Sequence, residues 1–270
     1  MLATNYFEEK ILGILSGQTA TGAPKLYVGL YISSPTDTGV AGIEVSYAGY
    51  LRQEIIFDVT RDIGTNRGFS NINDISFSTI TGTDAGVASY IGISDSLSGG
   101  NMLLHGKLES SLGLGVQERP NIAAGDITYW ISSANATIAF KDMILNNLRG
   151  IDITGFQPRV GLYNGNPDSG GIELSGENYS RPEIVFSLPR QQTGGYAQIQ
   201  NQHEVRFERP ASVWGSWVGV CILAPVLGGG VPETGGLVQP IIFYPQTPTK
   251  TIAINNPVII EAEKLIVKMD

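Results

Sequence analysis

The sequence predicts a mainly β protein: two tandem antiparallel β-sandwich modules, each preceded by one short α-helix. Three observations lead there. An ordered series of short motifs occurs twice, about 130 residues apart, a domain-sized spacing. Each copy opens on one stretch with helical apolar spacing. Everything after it reads as short β-rich runs between Gly, Pro, Ser, Asn and Asp turns.

In the first copy Phe7, Ile11, Leu12 and Leu15 fall on one helical face. Asn5 followed by Glu8 suggests a capping box, and Gly17 stands where a glycine would end the helix. Expected strands follow at Leu26 to Tyr31, Glu54 to Phe57, Asp74 to Phe77, Ser89 to Ile93, Met102 to His105 and Ile127 to Ile131. The second copy restarts with Phe140, Ile144, Leu145 and Leu148, then Gly150. Val160-Gly161-Leu162-Tyr163 answers Val28-Gly29-Leu30-Tyr31. Ile172-Glu173-Leu174-Ser175 answers Ile43-Glu44-Val45-Ser46, and Tyr179 to Phe186 answers Tyr50 to Phe57. Further on, Asn201 to Phe207 matches Asn71 to Phe77, and Trp217-Val218-Gly219-Val220 matches Tyr90-Ile91-Gly92-Ile93. Strands are also expected at Ile252 to Ile254, Val258 to Ile260 and Leu265 to Val267. The boundary falls near Ser132 to Asn135 without a Pro/Gly linker, so the modules are read as 1–133 and 134–270, closely coupled.

Composition narrows the function. The net charge is −8 with few basic residues, which disfavours nucleic acid because phosphate contacts need clustered Lys and Arg. The single cysteine, Cys221, permits no internal disulfide. No apolar run has the length of a membrane span, and the N-terminus lacks the features of a signal peptide. Synthesis in the cytoplasm of the producing cell is expected, with no membrane partner.

No catalytic, metal or cofactor set is read from the sequence. His105 and His203 lack ligand-spaced companions, and Cys221 sits in an apolar run. The glycine-rich stretches Gly113-Leu114-Gly115 and Gly228-Gly229-Gly230 lack a P-loop Lys/Ser and read as loops. Glu44 and Glu173 recur, but no second acid recurs beside them as glycoside hydrolysis would require. They are read as loop residues bonded to a turn.

Arg52 with Glu54, and Arg181 with Glu183, stand two apart, on one strand face. The expectation is a surface ion pair or an arginine pinning the turn beside it, the alternative a contact between subunits. Gly228, Gly229, Gly230 and Val231 lie in an insertion of the second copy and are candidates for a subunit contact. So are the stretches 62–68 and 112–120. Trp214 and Trp217, with Tyr196 upstream, are read as packing or a contact between subunits, with Tyr196 and Trp214 as the alternative candidates for stacking on a glycan.

The order of motifs also carries a resemblance. It runs from the helix through Leu26-Tyr27-Val28-Gly29-Leu30-Tyr31, Ser34-Pro35-Thr36-Asp37 and Glu44-Val45-Ser46 to Gly49-Tyr50-Leu51-Arg52-Gln53. It continues with Asn71, Tyr90-Ile91-Gly92-Ile93-Ser94-Asp95, Gly99-Gly100-Asn101-Met102-Leu103-Leu104 and Ala124-Gly125-Asp126. This series resembles the small β-sandwich domains of tailed-bacteriophage virion proteins, the tail fibre and minor tail proteins. The resemblance implies a non-enzymatic structural part of a virion, in the tail at the baseplate or fibre attachment. Its partners would be other virion proteins and copies of itself in a symmetric assembly. A fibre that binds a host surface glycan and a capsid decoration protein remain alternatives.

Overall fold

The computed structural model describes residues 1–225 and 238–269. Gly228, Gly229, Gly230 and Val231 lie outside the described residues. The first half contains β1 (Leu2–Ala3), α1 (Asn5–Gly13), β2 (Leu26–Tyr31), β3 (Gln53–Ile55), β4 (Arg61–Ile63) and β5 (Asn66–Ser70). It continues with β6 (Ile75–Ser76), β7 (Val87–Ser94), β8 (Met102–Gly113), β9 (Asn121–Ile122) and β10 (Thr128–Ile131). The second half contains α2 (Ile138–Leu148), β11 (Arg159–Tyr163), β12 (Arg190–Gln191), β13 (Ala197–Gln200), β14 (Val205–Arg206), β15 (Gly215–Pro225), β16 (Val238–Ile252), β17 (Ile259–Ile260) and β18 (Ile266–Met269).

All strand pairings are antiparallel. The first half forms a five-stranded sheet, β1-β8-β7-β2-β3, a three-stranded sheet, β10-β5-β4, and the pair β6-β9. The second half forms β11-β15-β16, β12-β13-β18 and β14-β17. The β4–β5 hairpin, read from sequence as the loop 62–68, turns at Gly64 with φ 62°. The β3 ladder has only a remnant in the second half, the single bridge Arg159–Glu183. Pro182 stands where β3 has Gln53, and a proline has no amide to give to a ladder.

Pairing also corrects one match made from sequence. Tyr31 pairs with Tyr90 and Gly29 with Gly92, whereas Tyr163 pairs with Gly219 and Gly161 with Cys221. Gly219, not Trp217, therefore fills the place of Tyr90. A strand alternates faces with period two, so a two-residue offset leaves every side chain on its expected face.

The helix caps lie one residue before the expected box. Thr4 and Thr137 are the N-caps, and their hydroxyls accept from the amides of Phe7 and Phe140. The Glu8 carboxylate accepts the Ala197 amide at 2.8 Å. Gly17 and Gly150, at φ 86° and 87°, take the left-handed turn that ends each helical stretch.

Each helix packs on more than the sandwich that follows it, where a module on its own would be expected to hold its helix against its own sheets. Helix α1 packs on β8 of its own half and also on β12, β13 and β18 of the other. Helix α2 packs on β16 of its own half and on β5 of the other. One apolar core cluster runs through both halves, from Phe7 and Phe69 to Phe140, Ile199 and Val267. A helix between two sheets buries more of its circumference than one lying on a single sheet, and hydrophobic gain scales with that area.

Candidate functional site

The structure brings the recurring motifs into one cluster, once in each half. In the first, Glu44 receives both arms of the Arg52 fork: Nε donates to Oε1 and Nη2 to Oε2, each at 2.8 Å. Tyr50 donates its hydroxyl to Oε1 at 3.2 Å while accepting the Leu30 amide at 2.8 Å. Tyr31 donates to Oε2 at 3.3 Å. The second Arg52 amine, Nη1, donates to the carbonyls of Ser96 and Gly99 at 3.1 and 2.8 Å, tying down the β7–β8 turn. Charge-assisted, two-pronged bonds of this kind are the strong ones.

The second half repeats the arrangement. Arg181 Nε and Nη2 reach Glu173 at 2.9 and 2.8 Å. Tyr179 donates to Glu173 Oε1 at 2.8 Å and accepts the Leu162 amide at 2.9 Å. The glycine of the Val-Gly-Leu-Tyr motif makes the room. A Cβ at Gly29 would sit 2.7 Å from Glu44 Oε1, and one at Gly161 would sit 2.8 Å from Glu173 Oε1.

One expectation for Arg52 and Arg181 was a pair with Glu54 and Glu183, two residues on; the other was an arginine pinning a turn, and Arg52 does hold the Ser96 and Gly99 carbonyls. The two arginines pair instead with Glu44 and Glu173, because each arginine precedes the ladder and turns inward over the glycine. Glu54 binds Lys25 and Glu183 binds Arg159, both at 2.8 Å on exposed ground. Such surface pairs contribute about 0–1 kcal/mol. Glu44 and Glu173 in turn hold side chains, not a backbone turn. The signal in the sequence was the joint recurrence of Gly, Glu, Tyr and Arg at matching spacing in both halves.

Electrostatics agree with a structural clamp. The hydrogen bond to its glutamate holds each guanidinium above the ordinary arginine value. Burial pushes Tyr50, Tyr163 and Tyr179 well up, and Tyr31 up to about 12. A tyrosine whose folded pKa is raised stabilises the fold fully below about pH 10 and loses that contribution as pH rises through the folded value. The tyrosine contribution should therefore stay flat from neutral pH to about 10 and fall above it. Near-ultraviolet absorbance should show these tyrosines ionising only as the protein unfolds; all of them titrating near pH 10 in a folded protein would contradict this.

The other candidates fall as follows. Trp214 is 4 % exposed, its indole N–H bonds the Glu177 carbonyl at 3.0 Å, and its ring meets Tyr179 edge-on. It is packed and offers no open stacking face, so the glycan alternative does not hold for that residue. Tyr196 is half-buried, with the Lys268 ammonium 4.7 Å over its ring. Cys221 is fully buried and burial raises its thiol pKa. His105 is buried with Nε2 3.1 Å from Asp37, while His203 is exposed. Among the described residues no group of three or more His, Cys, Asp or Glu is placed to hold a metal ion. No helix among them is long and apolar enough to cross a membrane, which says nothing of strands.

The stretch 112–120 folds back on its own half: Leu114 donates to Gly86, and Glu118 accepts from Ile80 and Gly115. The 62–68 hairpin faces α2, where Arg67 Nε and Nη2 meet Asp142 at 2.6 and 3.0 Å.

Residues 2–129 match the family described as Podophage GP4 fiber I protein gp80. The match spans nearly all of the first half and marks it as phage tail fibre-like. It supports a structural virion tail component. No curated protein matches the chain.

Proposed function

We propose that this protein is a non-enzymatic structural part of a phage tail, built from two copies of one helix-plus-sandwich module at 1–133 and 134–270. It acts through contacts with other virion proteins and with copies of itself, at the baseplate or fibre attachment. The observation that carries this reading is the fibre-family match over residues 2–129. The recurring Glu–Arg–Tyr clamp supports the two-copy part: the same donors meet the same acceptors at Glu44 and Glu173. Both clamps saturate a carboxylate with donors, which suits a scaffold. The glycan alternative named Tyr196 and Trp214, and of these the Trp214 ring is packed.

The test is location. A small epitope tag at the exposed Ser133, carried in the phage genome, should be detected in purified particles. Gold-labelled antibody should mark the tail. Label on the head would favour a decoration protein. A protein made in infected cells but missing from particles would end the structural reading.

A further inference from the structure

The strongest unexplained feature is how the halves meet. Ala20 and Ile153 exchange both backbone hydrogen bonds, each at 2.9 Å. Counting from Gly17 and Gly150, these two residues hold the same position in their halves. A residue bonding reciprocally to its own counterpart places a local twofold axis between them, as in an isologous dimer.

Neighbouring contacts obey the same axis. The Gly22 amide donates to Asp152 Oδ1 at 2.8 Å, and its counterpart, Gly155, donates to Thr19 Oγ1 at 3.4 Å. A Cβ on Gly22 would sit 2.3 Å from the Gly150 carbonyl carbon, and one on Gly155 would sit 2.2 Å from the Gly17 carbonyl oxygen. Both glycines thus permit the same close approach, each against the other half's helix-ending glycine. The helices cross over in the same sense: Glu8 of α1 accepts the Ala197 amide of β13 at 2.8 Å, and Asp142 of α2 meets Arg67 of β5.

We propose that the two halves form a dimer within one chain, joined by a self-complementary surface made of α1, α2 and the segments 17–23 and 150–156. The partner that surface fits is another module of the same kind, so the interface and not the covalent link holds the halves together. The inference does not depend on where the protein sits in a particle. Charge sets the order of preference. First with second keeps Arg67 against Asp142. First with first would put Arg67 opposite the Glu8–Glu9 end of α1, which is also favourable. Second with second would leave Asp142 opposite Ala197, whose side chain carries no charge to pair with it.

The exposed stretch Ser132 to Asn135 gives access for a test. A protease site placed there in the full chain, then cut, should leave one particle of full native mass that separates into two fragments only on denaturation. Gly155→Val and Gly22→Val should each release the cut halves as separate species, with β circular dichroism retained. If either variant fails to fold, Arg67→Ala provides the second measure, weakening the cut pair by about tenfold. Mixing cut chains of two isotopic masses under mild denaturant should yield first–second and first–first pairs, with few second–second pairs. Cut wild-type halves that separate on their own or unfold would overturn the proposal. So would a cut Gly155→Val chain as tightly held as wild type, or pairing without the charge order.

Discussion

Phe7→Ala is expected to cost about 3–5 kcal/mol, the range for removing a fully buried aromatic ring. Phe7 is 0 % exposed and belongs to the core cluster that reaches into both halves. Its loss should therefore lower one shared calorimetric transition, by on the order of 10 °C. Leu148→Ala, on the other helix, should act in the same way at about 2–5 kcal/mol. A second transition left at its original temperature in either variant would show that the halves melt independently. That result would contradict the two-sided packing of the helices.

Glu44→Ala is expected to be the largest polar effect, about 2–3 kcal/mol. It strips partners from an arginine whose side chain is 11 % exposed and from the hydroxyls of Tyr31 and Tyr50. Arg52 would also lose the orientation that holds the Ser96 and Gly99 carbonyls. Arg52→Ala should cost a similar amount, and the double variant should cost much less than the sum, because the two side chains act on one another. Urea unfolding of the four proteins measures this. Strict additivity would mean that the pair is a bystander, and Glu54→Ala, near zero because that pair is exposed, provides the control.

Much of the fold was legible in residue order. The helical faces at Phe7 and Phe140, the terminating glycines at 17 and 150, and the central strands at Val28 and Val160 all follow from local rules of spacing and backbone freedom. The clamp was half legible. Its residues recur in the sequence, but nearest-neighbour reasoning paired Arg52 with Glu54, since two residues on a strand share a face. The true partner, Glu44, lies across a turn, and only the space above Gly29 allows the two to meet. What buries Trp214 was not legible: burial of a ring depends on what crosses it, here Tyr179 and the Glu177 carbonyl.

The sequence by itself determined the β class, the two short helices, the recurrence of motifs and the likeness to phage fibre proteins. These are written in local periodicity and in order along one chain. Tertiary structure alone decided that each helix lies between the two halves, that Glu8 and Asp142 reach the other half, and that Ala20 faces Ile153. Such contacts join positions far apart in the chain. They depend on which surfaces dock, and docking is chosen by summed area, the absence of a Cβ at Gly22 and Gly155, and complementary charge, none of which any single stretch of sequence displays.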